Sequence, residues 1–92
     1  MKLNKDSYTT RKYAKELFEN TELDKIIVTN NVLFLSGTFV DQLISDASDN
    51  DITIDLSCSK TNVKTCFNVV SKRIEQEKLP PIEWGESGPP LQ

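Results

Sequence analysis

The chain of 92 residues is long enough for one small domain, and its composition of 37% hydrophobic and 27% charged residues is typical of a globular protein. With 11 basic and 14 acidic residues its net charge is −3, which gives no general attraction to nucleic acid or to an anionic membrane surface. It contains no histidine, no apolar run near the roughly 20 residues that span a bilayer, and no secretory apolar segment at its start, so we expect a cytoplasmic protein without a cofactor, a metal site or a catalytic function.

The first element with a clear period is a helix near residues 10–20. Apolar side chains recur there on one stripe at helical spacing, and the charged residues between them remain in water. The stripe consists of Tyr13, Ala14, Leu17 and Phe18. The residues before this helix allow only a brief edge strand.

Three consecutive β-branched residues predict a strand over residues 25–29 that is covered on both faces, as in parallel sheets. Two asparagines at positions 30–31 then indicate a turn. Two continuations remain open at this point. Residues 32–35 either return as the second arm of a hairpin, or they cross the top of the sheet and lead into the next helix.

A second amphipathic helix is predicted over residues 37–47, with Ser36 or Thr38 as its N-cap. The backbone amides at a helix N-terminus point outward, and the helix dipole favours anions there. We call residues 36–41, which connect the preceding apolar run to this helix, the joint. It is the place in the chain where we expect phosphorylation, phosphate binding or docking of a partner.

The candidate site residues lie in and directly after the joint. Ser and Thr side chains there also have a plain interpretation as helix caps, and an acidic side chain in the first turn also complements the helix dipole. The candidates for partner binding or phosphate acceptance are Ser36, Gly37, Thr38, Asp41 and Gln42.

Alternating apolar and polar residues predict a half-buried strand over residues 52–56, and a third helix is predicted over residues 60–78. Two consecutive prolines end that helix. Residues 80–92 contain all four prolines and two of the three glycines, so the predicted division is a domain over residues 1–79 and a tail over residues 80–92. Trp84 in this tail is expected to pack against the domain.

Strands that alternate with helices predict an α/β fold with a short, mostly parallel sheet and three helices. Two strands form only a marginal sheet, so a further member is expected. The candidates are the N-terminal residues, residues 32–35, the tail near residues 82–84, or a second chain in a homodimer through a sheet edge. The predicted core consists of Leu17, Phe18, Ile27, Phe39, Leu43, Ile54, Phe67 and Val70.

The segment from Lys25 to Leu43 resembles the central strand, loop and helix of STAS-type domains, the fold of sulphate transporter tails and anti-sigma factor antagonists. It is more similar to a bacterial and phage STAS-like family of uncharacterised function. The resemblance to that family spans residues 8–75. It depends on the Thr-Arg-Lys-Tyr-Ala sequence at residues 10–14 and on the Leu-Ser-Gly-Thr-Phe-Val-Asp-Gln-Leu sequence at residues 35–43.

The later part of the chain adds to this resemblance. Residues 52–56 resemble the family's second strand, and residues 59–63 resemble the polar opening of the helix that follows. In classical STAS antagonists an Asp-Ser-Ser-Gly sequence carries the regulatory phosphoserine. Ser36 and Gly37 match its last two residues, whereas a phenylalanine and a leucine replace its first two.

The resemblance implies a small STAS-like sandwich and a non-catalytic regulatory domain that binds a partner protein. The family is often found beside ATPases of the histidine-kinase type, which makes such an ATPase the expected partner. The alternative is a small inhibitor from a phage or a mobile element that blocks a host protein. No nucleic acid and no membrane is expected as a partner.

Overall fold

The computed structural model describes residues 2–19, 24–74, 79–85 and 88, and the structural statements below concern these residues. The elements in chain order are β1 (Lys2–Leu3), β2 (Ser7–Tyr8), α1 (Arg11–Glu19), β3 (Lys25–Val28), β4 (Phe34–Leu35), α2 (Gly37–Asp49), β5 (Thr53–Asp55), α3 (Thr61–Arg73) and β6 (Ile82–Glu83). Three helices and a parallel sheet confirm the predicted α/β fold.

Four of the strands form one sheet in the order β1-β3-β5-β6, and every pairing in it is parallel. Ile54 in β5 lies between Ile26 in β3 and Ile82 in β6. The predicted parallel pairing of the strands at residues 25–29 and 52–56 is therefore confirmed. The members that these two strands needed come from the N-terminal residues and from the segment near Ile82.

The segment before α2 does not form a hairpin with β3. Its strand β4 pairs in parallel with β2 in a separate two-stranded sheet. The Asp6 carbonyl accepts hydrogen bonds from the amides of Leu33 and Phe34 at 2.7 and 3.1 Å, and the Ser36 amide donates to the Tyr8 carbonyl at 3.0 Å. Of the two continuations, the chain follows the one that leads into α2.

All three helices lie on the same face of the main sheet, because a parallel sheet whose strand order follows the chain needs right-handed crossovers on one side. Burial agrees with this arrangement. Ile26, Val28 and Ile54 are fully buried, whereas Ile27 and Asp55, on the opposite face, are partly exposed. The predictions that β3 is covered on both faces and that Ile27 belongs to the core were therefore wrong.

The core fills the space between the covered face and the helices. Of the predicted core residues, the fully or almost fully buried ones are Leu17, Phe39, Leu43, Ile54, Phe67 and Val70. Phe18 is partly exposed and packs against this cluster. The rings of Tyr8 and Phe39 lie 5.2 Å apart between their centroids, which joins the small second sheet to the core.

The third helix is shorter than predicted. It ends at Arg73, and the following Ile74 has an extended backbone with φ −78° and ψ 114° and packs against the core. Residues 75–78, where the helix was predicted to continue, lie outside the described residues. Within the described part of the chain, no helix has the length and the apolar content needed to cross a membrane.

Candidate functional site

The joint borders an open groove with a volume of about 610 Å³. Three of the five candidate residues, Gly37, Thr38 and Asp41, form one side of it. The other lining residues come from the start of α1 and from the end of α3. They are Arg11, Val70, Arg73 and Ile74.

Ser36 is the N-cap of α2. Its backbone is extended, with φ −76° and ψ 154°, and its hydroxyl oxygen accepts a hydrogen bond from the Phe39 amide at 3.1 Å. The same hydroxyl donates to the Thr9 carbonyl at 2.8 Å. One side chain thus satisfies an amide of the first helical turn and ties α2 to the residues just before α1. Phosphorylation of Ser36 would remove its hydroxyl proton and with it the hydrogen bond to the Thr9 carbonyl.

Gly37 and Thr38 are the exposed part of the joint. A side-chain carbon added at Gly37 would meet no atom within 4 Å, so the surface there is open. No hydrogen bond joins the Thr38 hydroxyl to any other part of the chain that the structure describes. Thr38 therefore presents the accessible hydroxyl of the joint.

Asp41 and Gln42 are held by an arginine from the first helix. The Nη1 atom of Arg11 donates to the Gln42 Oε1 atom at 2.9 Å, and Nη2 lies 3.5 Å from the Asp41 Oδ2 atom. Gln42 also donates to the Asp46 carboxylate at 2.9 Å. The side chains of Arg11 and Asp41 are 47% and 44% exposed, so this ion pair contributes little to stability. The ion pair orients the Arg11 and Asp41 side chains relative to each other where both line the groove.

Arg73 was not among the candidate residues of the sequence analysis. It is exposed at the end of α3 and forms no ion pair with the described residues. Among the described residues that line the groove, Arg11 and Arg73 supply two guanidinium groups and Asp41 supplies the one carboxylate, so this part of the surface is basic in an acidic chain. The basic last turn of α3 was visible in the sequence, but its position against the joint was not.

An exposed apolar pair precedes the joint in the chain. Leu33 and Phe34 are 53% and 54% exposed, and the only other large apolar side chain of the described residues with such exposure is Leu79. The Asn62 side chain donates to the Leu33 carbonyl at 2.8 Å, so the pair lies beside the start of α3.

One row of side chains on α3 lies alongside the segment that runs from the apolar pair to the joint. After Asn62, the Cys66 thiol lies 3.5 Å from the Leu35 carbonyl, and Val70 and Ile74 line the groove. Asn62, Cys66 and Val70 are four residues apart and share one face of the helix, and Ile74 follows directly after its end. Burial raises the pKa of the Cys66 thiol, which keeps it protonated as the donor of its contact.

Comparison of the chain with protein-family models found no match, and comparisons with curated proteins and with solved structures found none either.

Proposed function

We propose that this protein is a non-catalytic regulatory module of the STAS-like kind that binds a partner protein through the surface around the joint. The observation that carries the proposal is the groove, because Gly37, Thr38 and Asp41 line it together with two arginines from other helices. The resemblance of the joint to the STAS phosphoserine loop favours an ATPase of the histidine-kinase type as the partner.

The composition of the surface around the joint supports this proposal. Aromatic residues and arginine are enriched at protein interfaces, and the residues that dominate binding energy lie in a desolvated centre. Phe34 and Leu33, just before the joint, supply exposed apolar area, and Arg73 and Arg11 line the groove that the joint borders. A partner that covers the apolar pair and places acidic groups in the groove would satisfy both parts of this surface.

The accessible hydroxyl makes Thr38 the better placed regulatory position within the proposed surface. A phosphate there would lie in the first turn of α2, where the helix dipole favours negative charge. Arg11 and Arg73 line the same groove and would pair with it. Ser36 then has a structural role, as the helix cap whose hydrogen bonds hold the joint in place.

The proposal is tested by photo-crosslinking in the source cells. A photoreactive residue in place of Phe34 in the full chain is expected to capture one protein, which mass spectrometry identifies. A photoreactive residue in place of Leu79, which is also apolar and exposed, is the matched control. The purified partner is then titrated with the full chain and with variants of the surface.

Phe34→Ala and Arg73→Glu are each expected to weaken binding of that partner by about tenfold or more, equivalent to about 1.4 kcal/mol, because the first removes apolar contact area and the second sets a negative charge against the partner's acidic groups. Leu79→Ala is expected to leave the dissociation constant unchanged. If the same protein is captured at both crosslinking positions, or if neither surface variant changes the affinity, partner binding through the joint is refuted.

A further inference from the structure

Residues 79–85 lie along the edge of β5, at the opposite end of the sheet from β1. The Ile54 amide donates to the Pro81 carbonyl at 2.9 Å, and the Leu56 amide donates to the Glu83 carbonyl at 2.8 Å. We call residues 79–85 the strap. Its regular pairing with the sheet is limited to the two residues of β6.

Three consecutive side chains of the strap alternate between two kinds of contact. Ile82 and Trp84 are partly buried and pack against the core. Glu83 lies on the open face of the sheet, where its Oε2 atom is 3.0 Å from the Nζ atom of Lys25. Lys25 belongs to β3, so this ion pair reaches across β5. The surroundings of the β5 edge therefore suit an apolar, an acidic and an aromatic residue in that order.

A glycine ends the strap. Gly85 has φ +96°, a conformation that side chains disfavour, and a side-chain carbon there would lie 3.4 Å from the Ser57 Cα atom. This conformation of Gly85, directly after Trp84, lets the backbone pass close to Ser57 in the loop after β5. The fit of the strap is thus specified at four successive positions, from Ile82 to Gly85.

None of these contacts requires the strap and the edge to belong to the same chain. They consist of backbone hydrogen bonds of the kind made when an extended peptide adds to a sheet edge, with side-chain pockets that give sequence preference. A second copy of this chain carries the identical segment. Exchange of identical segments between copies produces a symmetric dimer without any new type of contact.

We propose that the edge of β5 is a strand-accepting site for a parallel segment of the pattern apolar, acidic, aromatic, glycine, and that the strap of a second copy occupies it in trans. This goes beyond the partner surface at the joint and involves none of its residues. The tethered strap competes for the site at an effective concentration in the millimolar range. Exchange therefore requires high protein concentration or a weakened strap.

The site is tested with a synthetic peptide of residues 79–88 and a full chain that carries Trp84→Ala. Trp84 is the only tryptophan of the chain, so the emission of the mixture reports the peptide alone. Saturable binding with a blue shift of the peptide emission is expected. A peptide of scrambled order is the control, and a peptide with Glu83→Lys is expected to bind several-fold more weakly. If Trp84→Ala does not fold, Trp84→Phe provides a tryptophan-free chain that retains an aromatic strap.

The second copy is tested by light scattering of the unmodified chain as its concentration is raised into the millimolar range. The mass is expected to rise above the 10.4 kDa of the monomer and to return towards it when excess peptide is added. Equal binding of the scrambled peptide, or no binding of either, refutes the strand-accepting site. Peptide binding by a chain that stays monomeric refutes the second copy and assigns the site to an extended segment of another protein.

Discussion

At the scale of single residues, the Ser36 hydroxyl determines how the joint is held, because it accepts from the Phe39 amide and donates to the Thr9 carbonyl. We predict that Ser36→Ala lowers the free energy of unfolding by about 1–2 kcal/mol, since it removes a helix cap and a tie between elements. Urea denaturation followed by circular dichroism measures this change.

Thr38→Ala is the matched control, because it removes a hydroxyl from the same helix start where it is exposed. It is expected to change the free energy of unfolding by less than about 0.5 kcal/mol. Equal losses in both variants would contradict the assignment of Ser36 as the cap.

The carboxylate of Asp55 gives a pH-dependent prediction. The Ser57 hydroxyl and amide donate to its Oδ1 atom at 2.6 and 2.9 Å, and these hydrogen bonds, with the nearby Lys25 ammonium group, hold the pKa of Asp55 below its usual value. A carboxyl with a lowered pKa in the folded state stabilises the fold above its unfolded pKa, near 3.9, and this stability is lost as the pH falls through the folded value.

Ser57→Ala removes the hydroxyl bond, which is the largest cause of the lowered pKa. We therefore predict that this variant is less stable than the wild type at about pH 6 and that the difference shrinks at about pH 3. Denaturation curves at the two pH values measure it. A difference that stays constant, or that grows in acid, would exclude the proposed effect of Ser57 on Asp55.

At the scale of elements, alanine substitutions at two glycines test whether the edge of β5 depends on the backbone conformation at the end of the strap. Gly85 ends the strap, and Gly37 begins α2. Gly85→Ala places a side chain at φ +96°, at a cost of about 1–2 kcal/mol. We predict that amide hydrogen exchange at Ile54 and Leu56, which donate to the strap, becomes about tenfold faster. NMR exchange rates of the native protein measure this effect.

Gly37→Ala is the control substitution, at a helix start where an added carbon meets no neighbour. It is expected to leave the exchange of Ile54 and Leu56 unchanged and to maintain or slightly raise the stability. Faster exchange at these two amides in both variants would show that the edge of β5 responds to any loss of glycine, not to release of the strap.

The sequence predicted the long elements well because each has a repeated pattern. The stripes of α1, α2 and α3 and the apolar residues of β3 and β5 predicted their positions to within a few residues, apart from the end of α3. The strands β1, β2, β4 and β6 have two residues each, too few to show any period. Their existence depends on partners elsewhere in the chain, which local patterns do not specify.

In the candidate site, too, the local features were predictable from the sequence and the contacts between distant residues were not. The joint was predictable because a serine and a glycine before an amphipathic stripe are a local signal. Arg11 and Arg73 meet the joint only through tertiary packing, from positions 25 or more residues away on either side. Individual basic residues were visible in the sequence, but their convergence on one groove was not.

At the scale of the whole molecule, the one-sided sheet predicts a large contrast between two adjacent isoleucines of β3. Ile26 is fully buried on the face that the helices cover, and Ile27 is partly exposed on the other face. Ile26→Ala is expected to cost about 2–5 kcal/mol, and Ile27→Ala about 1 kcal/mol. Thermal and urea denaturation of both variants measure the difference. Equal losses would require a covering layer on both faces.

The strand order of the main sheet has a consequence for synthesis on the ribosome. Because the order β1-β3-β5-β6 follows the chain, each strand emerges to find its neighbour already made. A chain that leaves the ribosome at about 5–20 residues per second can add β3 to β1 and then β5 to β3, without waiting for a distant partner. The nascent sheet then grows at one edge only, and β6 closes that edge last.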